Sequence, residues 1–322
     1  MKEVVPMSEF RKIITKPGEV IDFETYFEEN PYLRTGVPTK PGKCERLEYT
    51  TSVYEDGKTY QKYCYVYLPY GYEPEDKSKK YNVLYFQHGN TCDPQMFSVG
   101  GNKPMIDMLF ESGEIEPCII VFTTYYFDPE RDYKERIITG NVPAGDGNWA
   151  GIKGNYYKEF IEDVIPAVEM KYNTYLEDPS REGIKATRDH RAFSGYSRGG
   201  MCTWNFFNRN FEYFRWYAPM SCHTVAGGAR DDKPSPDKVI DFLTAPIKAH
   251  PELPFYIYAA TGGPDGAEMK KQLKYIAKAE GFSYGPDPQK HNIYVSLSDY
   301  YHTDFLVPYY LWNILKVLFK GV

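Results

Sequence analysis

Between residues 83 and 319 the chain alternates short unbroken apolar runs with longer stretches in which apolar side chains recur every three or four positions. Runs of the first kind, Val83-Leu84-Tyr85-Phe86 and residues 118–122, 191–194, 213–218, 255–260 and 293–297, predict strands buried on both faces, as in a parallel sheet. The second kind predicts helices. One starts at Pro104 and carries Met105, Met108 and Leu109; another spans 158–171 and lines up Phe160, Ile161, Val164, Ile165 and Val168, with Pro166 expected to kink it. Others are predicted near 198–209, 238–249, 266–280 and 305–319, the last with Asp304 as its expected N-cap. Upstream, the β-rich runs LEYTTSVY and YQKYCYVYL flank Glu55-Asp56-Gly57-Lys58, where Asp-Gly marks a hairpin turn. These two strands bring the total to eight.

Strand and helix units repeated in this way predict an α/β fold: a mostly parallel eight-stranded sheet with helices on both faces, its chemistry in loops at the C-terminal ends of the strands. Residues 1–42 show no steady period and are expected to form an arm packed on the core, leaving 43–322 as one domain. The stretch 127–154 is too long and too polar for an ordinary connection. A lid or binding wall is expected there, with Trp149 as its one tryptophan.

Composition narrows the partners. A net charge of -6 with 25% charged residues and no long basic run argues against nucleic acid. No apolar stretch reaches membrane-spanning length, and the start lacks the apolar core of a signal peptide, so a cytoplasmic protein or one whose leader has been removed is expected. Nothing in the sequence speaks to oligomeric state. The six cysteines are scattered without a CxxC pair or zinc-like spacing to the six histidines, so neither a metal nor another cofactor is expected. Disulfides and free buried thiols both remain open. The 31 tyrosines and 17% aromatic content suit either a surface that stacks on rings or a tyrosine-filled core.

The sharpest motif is Gly195-Tyr196-Ser197-Arg198-Gly199-Gly200, set between the strand at 191–194 and the helix at 198–209. A G-x-S-x-G sequence in that setting is a nucleophile elbow, a bent corner that needs glycines where strand and helix nearly touch. Its serine becomes a nucleophile only when an imidazole takes its proton, and the imidazole is held in turn by a carboxylate. Such corners order the three groups as serine, acid, histidine. Of the four histidines after Ser197, His250 and His291 fall at ordinary solvated ends of elements, and His223 comes too early to leave room for an acid. His302 lies between the last strand and the last helix and is the expected base. Asp265, in the loop after the seventh strand, is the expected acid; Asp299 and Asp304 are too near His302 in sequence for a side-on contact. The oxyanion is expected to meet the backbone N–H groups of Arg198 and Asn90, the latter in Gln87-His88-Gly89-Asn90-Thr91, with His88 holding that loop. Trp149 and Tyr196 are candidate walls for an aromatic substrate.

From about Tyr63 to Phe319 the chain resembles carbohydrate esterase family 1, the feruloyl and acetyl-xylan esterases related to esterase D. The resemblance rests on the ordered blocks YVYLPYGY, YNVLYFQHGN, FIEDVIPAVEMKYNT, DHRAFSGYSRGGMCTW and HTDFLVPYYLWNIL. It implies an α/β-hydrolase fold, supports His302 as the catalytic histidine, and implies a feruloylated oligosaccharide or another ester as substrate. Departures from the family pattern are Arg198 where methionine is frequent and the single glycine after His88. Acetyl-xylan, S-formylglutathione-type and siderophore ester hydrolysis, and a carbohydrate-binding protein with an inactive triad, are the alternative readings.

Overall fold

The computed structural model describes residues 14–16, 19–20, 27–34, 37–90, 92–129, 132, 134, 155–228, 233–262, 267–298, 300–302 and 304–322. A short hairpin of β1 (Ile14–Lys16) and β2 (Glu19–Val20) stands apart from the main sheet. The main sheet comprises β3 (Lys43–Thr51), β4 (Tyr60–Leu68), β5 (Val83–Gln87), β6 (Ile119–Thr123), β7 (Arg191–Tyr196), β8 (Trp216–Met220), β9 (Tyr256–Gly262) and β10 (Ile293–Ser298). Its order is β10-β9-β8-β7-β5-β6-β4-β3, with β3–β4 and β4–β6 antiparallel and the other five pairings parallel. This is the α/β architecture expected from the strand and helix periods.

Alternation along each strand divides the core between the two faces. Val83 and Tyr85 join one apolar cluster with Ile119, Val121 and Phe193, while Leu84 and Phe86 join the other with Ile120, Phe122 and Ala192. Successive side chains of a strand point to opposite faces, so every residue of these strands is buried and neither face meets water. The first face is covered by α2 (residues 156–169), α4 (Arg198–Arg209), α5 (Pro236–Ala249) and α6 (Ala267–Ile276); α1 (Asn102–Ser112) and α7 (Val307–Leu315) cover the second. Here α2 joins Tyr156–Glu159, a π-helical turn Phe160–Val164 and Ile165–Glu169. The wide turn lies immediately before Pro166, whose ring would clash with the carbonyl four residues back in a regular helix. A local change of hydrogen-bond register is thus the form the expected kink takes. Between α2 and β7 runs one more helix, α3 (Arg181–Ala186).

The first residue of β7 is anchored by a buried ion pair. Arg191, fully buried, donates through Nε and Nη2 to the two oxygens of Glu169 at 2.6 and 2.9 Å, and Tyr85 Oη donates to the same carboxylate at 2.9 Å. Arg191 also donates to the carbonyl of Ile184 at 2.5 Å, which pins the start of β7 to α3. Removing one partner of a buried bidentate pair leaves the other charge uncompensated, so Glu169→Ala is expected to cost about 3–5 kcal/mol. Urea denaturation of the two proteins checks this; a difference under ~1 kcal/mol would contradict it.

Part of the N-terminal region lies against α7. Phe27 packs edge-on to Tyr300 and Tyr310, each at 6.2 Å, and Asn313 exchanges hydrogen bonds with the Glu28 backbone at 3.0 and 2.8 Å. All six cysteines are thiols. Among the described residues no helix is long and apolar enough to cross a membrane.

Candidate active site

Ser197 sits between the end of β7 and the start of α4 with φ 56° and ψ -113°, a left-handed conformation that side chains other than glycine rarely adopt. The corner is fixed from both sides. Ser197 N–H donates to Met220 O of the neighbouring β8 at 2.9 Å, and Met201 N–H donates to Ser197 O at 3.1 Å. Close approach explains the flanking glycines. A Cβ on Gly195 would fall 2.5 Å from the backbone of Gly199, one on Gly199 would fall 2.1 Å from Gln87 O, and one on Gly200 would fall 2.5 Å from Met220 O. No real Cβ tolerates such distances, so strand, helix and corner pack with bare backbone in contact.

From the loop after β10, His302 brings Nε2 to 3.0 Å from Ser197 Oγ, across 105 residues of sequence. That is hydrogen-bond distance for a base about to take the hydroxyl proton. Tyr196 is fully buried, and its ring lies under the imidazole with centroids 5.0 Å apart and planes 30° apart. Its visible role is to support His302 from below. Asp265, Asp299 and Trp149 lie outside the described residues. Asp304 opens a 3-10 turn, Asp304–Leu306, and the N-cap position of α7 is Leu306 rather than Asp304.

The loop after β5 crosses directly over the elbow. A Cβ on Gly89 would meet Tyr196 O at 3.3 Å and Ser197 Cβ at 3.4 Å, which places Gly89 against Ser197. Arg198 opens α4, so its amide is one of the four that a helix start leaves directed outward; its side chain is buried. His88 orients the crossing loop through a relay: Tyr126 N–H meets Thr124 Oγ1 at 3.2 Å, Thr124 Oγ1 meets His88 Nε2 at 2.8 Å, and His88 Nδ1 meets Gly89 O at 2.7 Å. A carbonyl can only accept, so Nδ1 carries the proton and Nε2 accepts from the threonine hydroxyl. Tyr125 Oη donates to Gly89 O at 3.1 Å and Tyr126 Oη to Asn90 O at 3.4 Å. With both carbonyls turned toward the tyrosines, the loop's N–H groups are left for the opposite side. These tyrosines were not legible as site residues, although the hydroxyl-rich Thr123-Thr124-Tyr125-Tyr126 after an apolar strand was the available signal.

Burial, the main cause, holds the His88 imidazole down to about 3, with nearby Lys62 and Arg198 adding to the effect and the bond to Gly89 opposing it. His190 and His223 are also shifted down by burial. Between about 3 and the ordinary 6.5 the unfolded chain binds the His88 proton and the native chain does not, so its contribution to stability is present above 6.5 and is lost as pH falls. The protein is expected to lose a few kcal/mol across that window, part of it through His88. Urea titrations at about pH 4 and pH 7 on wild type and His88→Gln should show a smaller acid loss in the variant. Equal losses would remove His88 from the account.

The chain is similar to known proteins over most of its length. The family model described as "Putative esterase" matches residues 61–238, more than half of the chain. Endo-1,4-beta-xylanase Y of Acetivibrio thermocellus is 32% identical over 233 residues, 71% of this chain and 19% of that protein. An endo-1,4-beta-xylanase/feruloyl esterase of Xylanibacter ruminicola is 28% identical over 220 residues, 67% of this chain and 25% of the other. The chain thus spans a quarter or less of the length of these curated relatives. Among solved structures, a serine-to-alanine mutant of the feruloyl esterase module from Clostridium thermocellum, complexed with sinapinate, superposes with a TM-score of 0.74 at 25% identity, covering 98% of this chain and 97% of that one. The chain belongs to the esterase family, among the feruloyl-esterase-like carboxylic ester hydrolases built on the α/β-hydrolase fold.

Proposed function

We propose that this chain is a feruloyl esterase that releases ferulate and related hydroxycinnamates from plant cell-wall arabinoxylan through a serine, histidine and aspartate triad. The observation that carries the proposal is the 3.0 Å approach of His302 Nε2 to the hydroxyl of a serine held at φ 56°. Ser197 Oγ attacks the ester carbonyl carbon while His302 takes its proton, and the oxyanion is met by the N–H groups of Asn90 and Arg198. The carbon–oxygen bond to the sugar then breaks, and His302 returns the proton to the leaving sugar oxygen. Water attacks the acyl-enzyme, gives its proton to His302, and the hydroxycinnamic acid departs as Ser197 regains its hydrogen. Asp265 holds the imidazolium formed in each half. The xylanase context of the relatives and the sinapinate bound to the structural neighbour support a hydroxycinnamoyl acyl group.

Specificity constants for methyl ferulate, methyl sinapate and 4-nitrophenyl acetate, with ferulate release from feruloylated arabinoxylan fragments, test the substrate assignment. Hydroxycinnamates are expected to be preferred over acetate by about tenfold or more, the effect of one well-filled aromatic pocket. Preference for acetate, with no ferulate released from the fragments, would make the chain a small-acyl esterase instead.

A further inference from the structure

A cavity of about 740 Å³ opens at the end of the sheet away from Ser197. Its walls include Asn82 and Cys118, which immediately precede β5 and β6, whereas the nucleophile follows the last residue of β7. A five-residue strand separates the two ends by about 17 Å at ~3.3 Å per residue, so this is a different site. The volume falls in the range of roughly 300–1,000 Å³ typical of small-ligand pockets.

Three features indicate what would fit. Tyr175 supplies a rigid ring wall: it stacks flat on His190, with centroids 3.5 Å apart and planes 3° apart, and His190 is held in turn by Asn82 Oδ1 at 2.8 Å. Phe319, a second aromatic lining residue, is held at φ 64°, a strained conformation for a bulky side chain. The third feature is charge. The lining side chains include four lysines, Lys79, Lys80, Lys316 and Lys320, against two carboxylates, Glu114 and Glu116, in a protein whose net charge is -6. Lys80 pairs with Glu177, and Lys316 with Glu28 and Glu114, which leaves the ammonium groups of Lys79 and Lys320 without an ion pair among the described residues. Aromatic faces bind the flat face of a ring, and unpaired ammonium groups beside them bind a carboxylate.

We infer that this cavity is a second ligand site, for a six-membered ring carrying a carboxylate. Two sources supply that chemistry: a uronic acid branch on an oligosaccharide, or a free phenolic acid. The site is independent of the esterase assignment, because none of its lining residues belongs to the Ser197 centre.

Isothermal titration of the full chain in a Ser197→Ala background, which prevents turnover, distinguishes the sources. The probes are a glucuronate-substituted xylo-oligosaccharide, its neutral counterpart and sodium ferulate. Saturable binding of a carboxylate probe is expected, weakened about tenfold by Lys79→Gln/Lys320→Gln and by added salt, with the neutral oligosaccharide much weaker. Tyr175→Ala should weaken it further, and the exposed lysine pair decides the matter if that variant folds poorly. Uronate binding alone assigns the site to the polysaccharide, and ferulate binding alone assigns it to the phenolic acid. The lysine variant in the wild-type background should hydrolyse methyl ferulate at the normal rate. Absence of saturable binding by both carboxylate probes, or affinities unchanged in both variants, would overturn the inference.

Discussion

Replacing Ser197 by alanine is expected to lower the specificity constant for a soluble hydroxycinnamate ester by about 10⁴–10⁶, leaving the protein folded. Folding survives because alanine at φ 56° carries much the same backbone strain as serine, and the backbone bonds at the corner, Ser197 N–H to Met220 O and Met201 N–H to Ser197 O, involve no side chain. His302→Ala should cost a comparable factor, because without a base the hydroxyl keeps its proton. The informative comparison is the double variant. Groups that act as a unit lose their effect once, so Ser197→Ala/His302→Ala should be no worse than the more damaged single variant. A single His302→Ala variant with near-normal turnover would break the proposed pairing, whatever the serine does.

The second large effect is structural. Gly199→Ala is expected to destabilise the protein by about 3 kcal/mol or more and to abolish activity, because the new methyl group would lie 2.1 Å from Gln87 O and 3.0 Å from His88 O. Both obstacles are backbone, and both belong to the segment that leads into the crossing loop. Relief therefore requires moving either the helix that carries Arg198 or the strand end that leads into the loop carrying Asn90. Gly113→Ala provides the control. Gly199 is part of helix α4, whereas Gly113 lies in the left-handed region, at φ 73°, with nothing within 4 Å of its added Cβ, so only the conformational cost of about 1 kcal/mol should appear there. Urea denaturation of both variants separates collision from backbone strain, and equal losses would show that packing at the elbow is looser than described.

These effects concern a corner that could be read in the sequence, because its chemistry depends on residue types at fixed spacing. A serine flanked by glycines between an apolar strand and an amphipathic helix has few structural alternatives, and the helix does span Arg198–Arg209 as its spacing predicts. The approach of His302 to Ser197 could be expected for a related reason: it lies between the last strand and the last helix, at the same end of the sheet as the serine. Strand alternation was similarly informative, since β5, β6 and β7 begin within one residue of their apolar runs.

What escaped was set by distant partners. The apolar run at 213–218 predicts a strand, yet β8 begins only at Trp216. Buried Arg188 accepts no alternative there: its guanidinium donates to Phe211 O and Phe214 O at 3.1 and 2.8 Å, holding the preceding residues in a turn. The last helix is predicted to reach 319 but ends at Leu315, where Val317 and Leu318 both donate to Ile314 O and Phe319 turns left-handed. The helix expected near 266–280 likewise ends at Ile276, ahead of turns that close at Gly281 with φ 86°. The tyrosines that orient the crossing loop could not be found from periodicity, because only the fold brings Tyr125 and Tyr126 to carbonyls 36 residues earlier. Tyr196, expected as a wall for an aromatic substrate, is buried with its ring centroid 5.0 Å from that of His302.

The most direct test of the central claim is labelling with a fluorophosphonate, followed by mass spectrometry of the modified peptide. A single adduct on Ser197, forming at a rate that collapses in His302→Ala, is the predicted result. An unmodified Ser197, or an adduct that forms just as fast without the imidazole, would contradict a hydroxyl activated across that 3.0 Å contact.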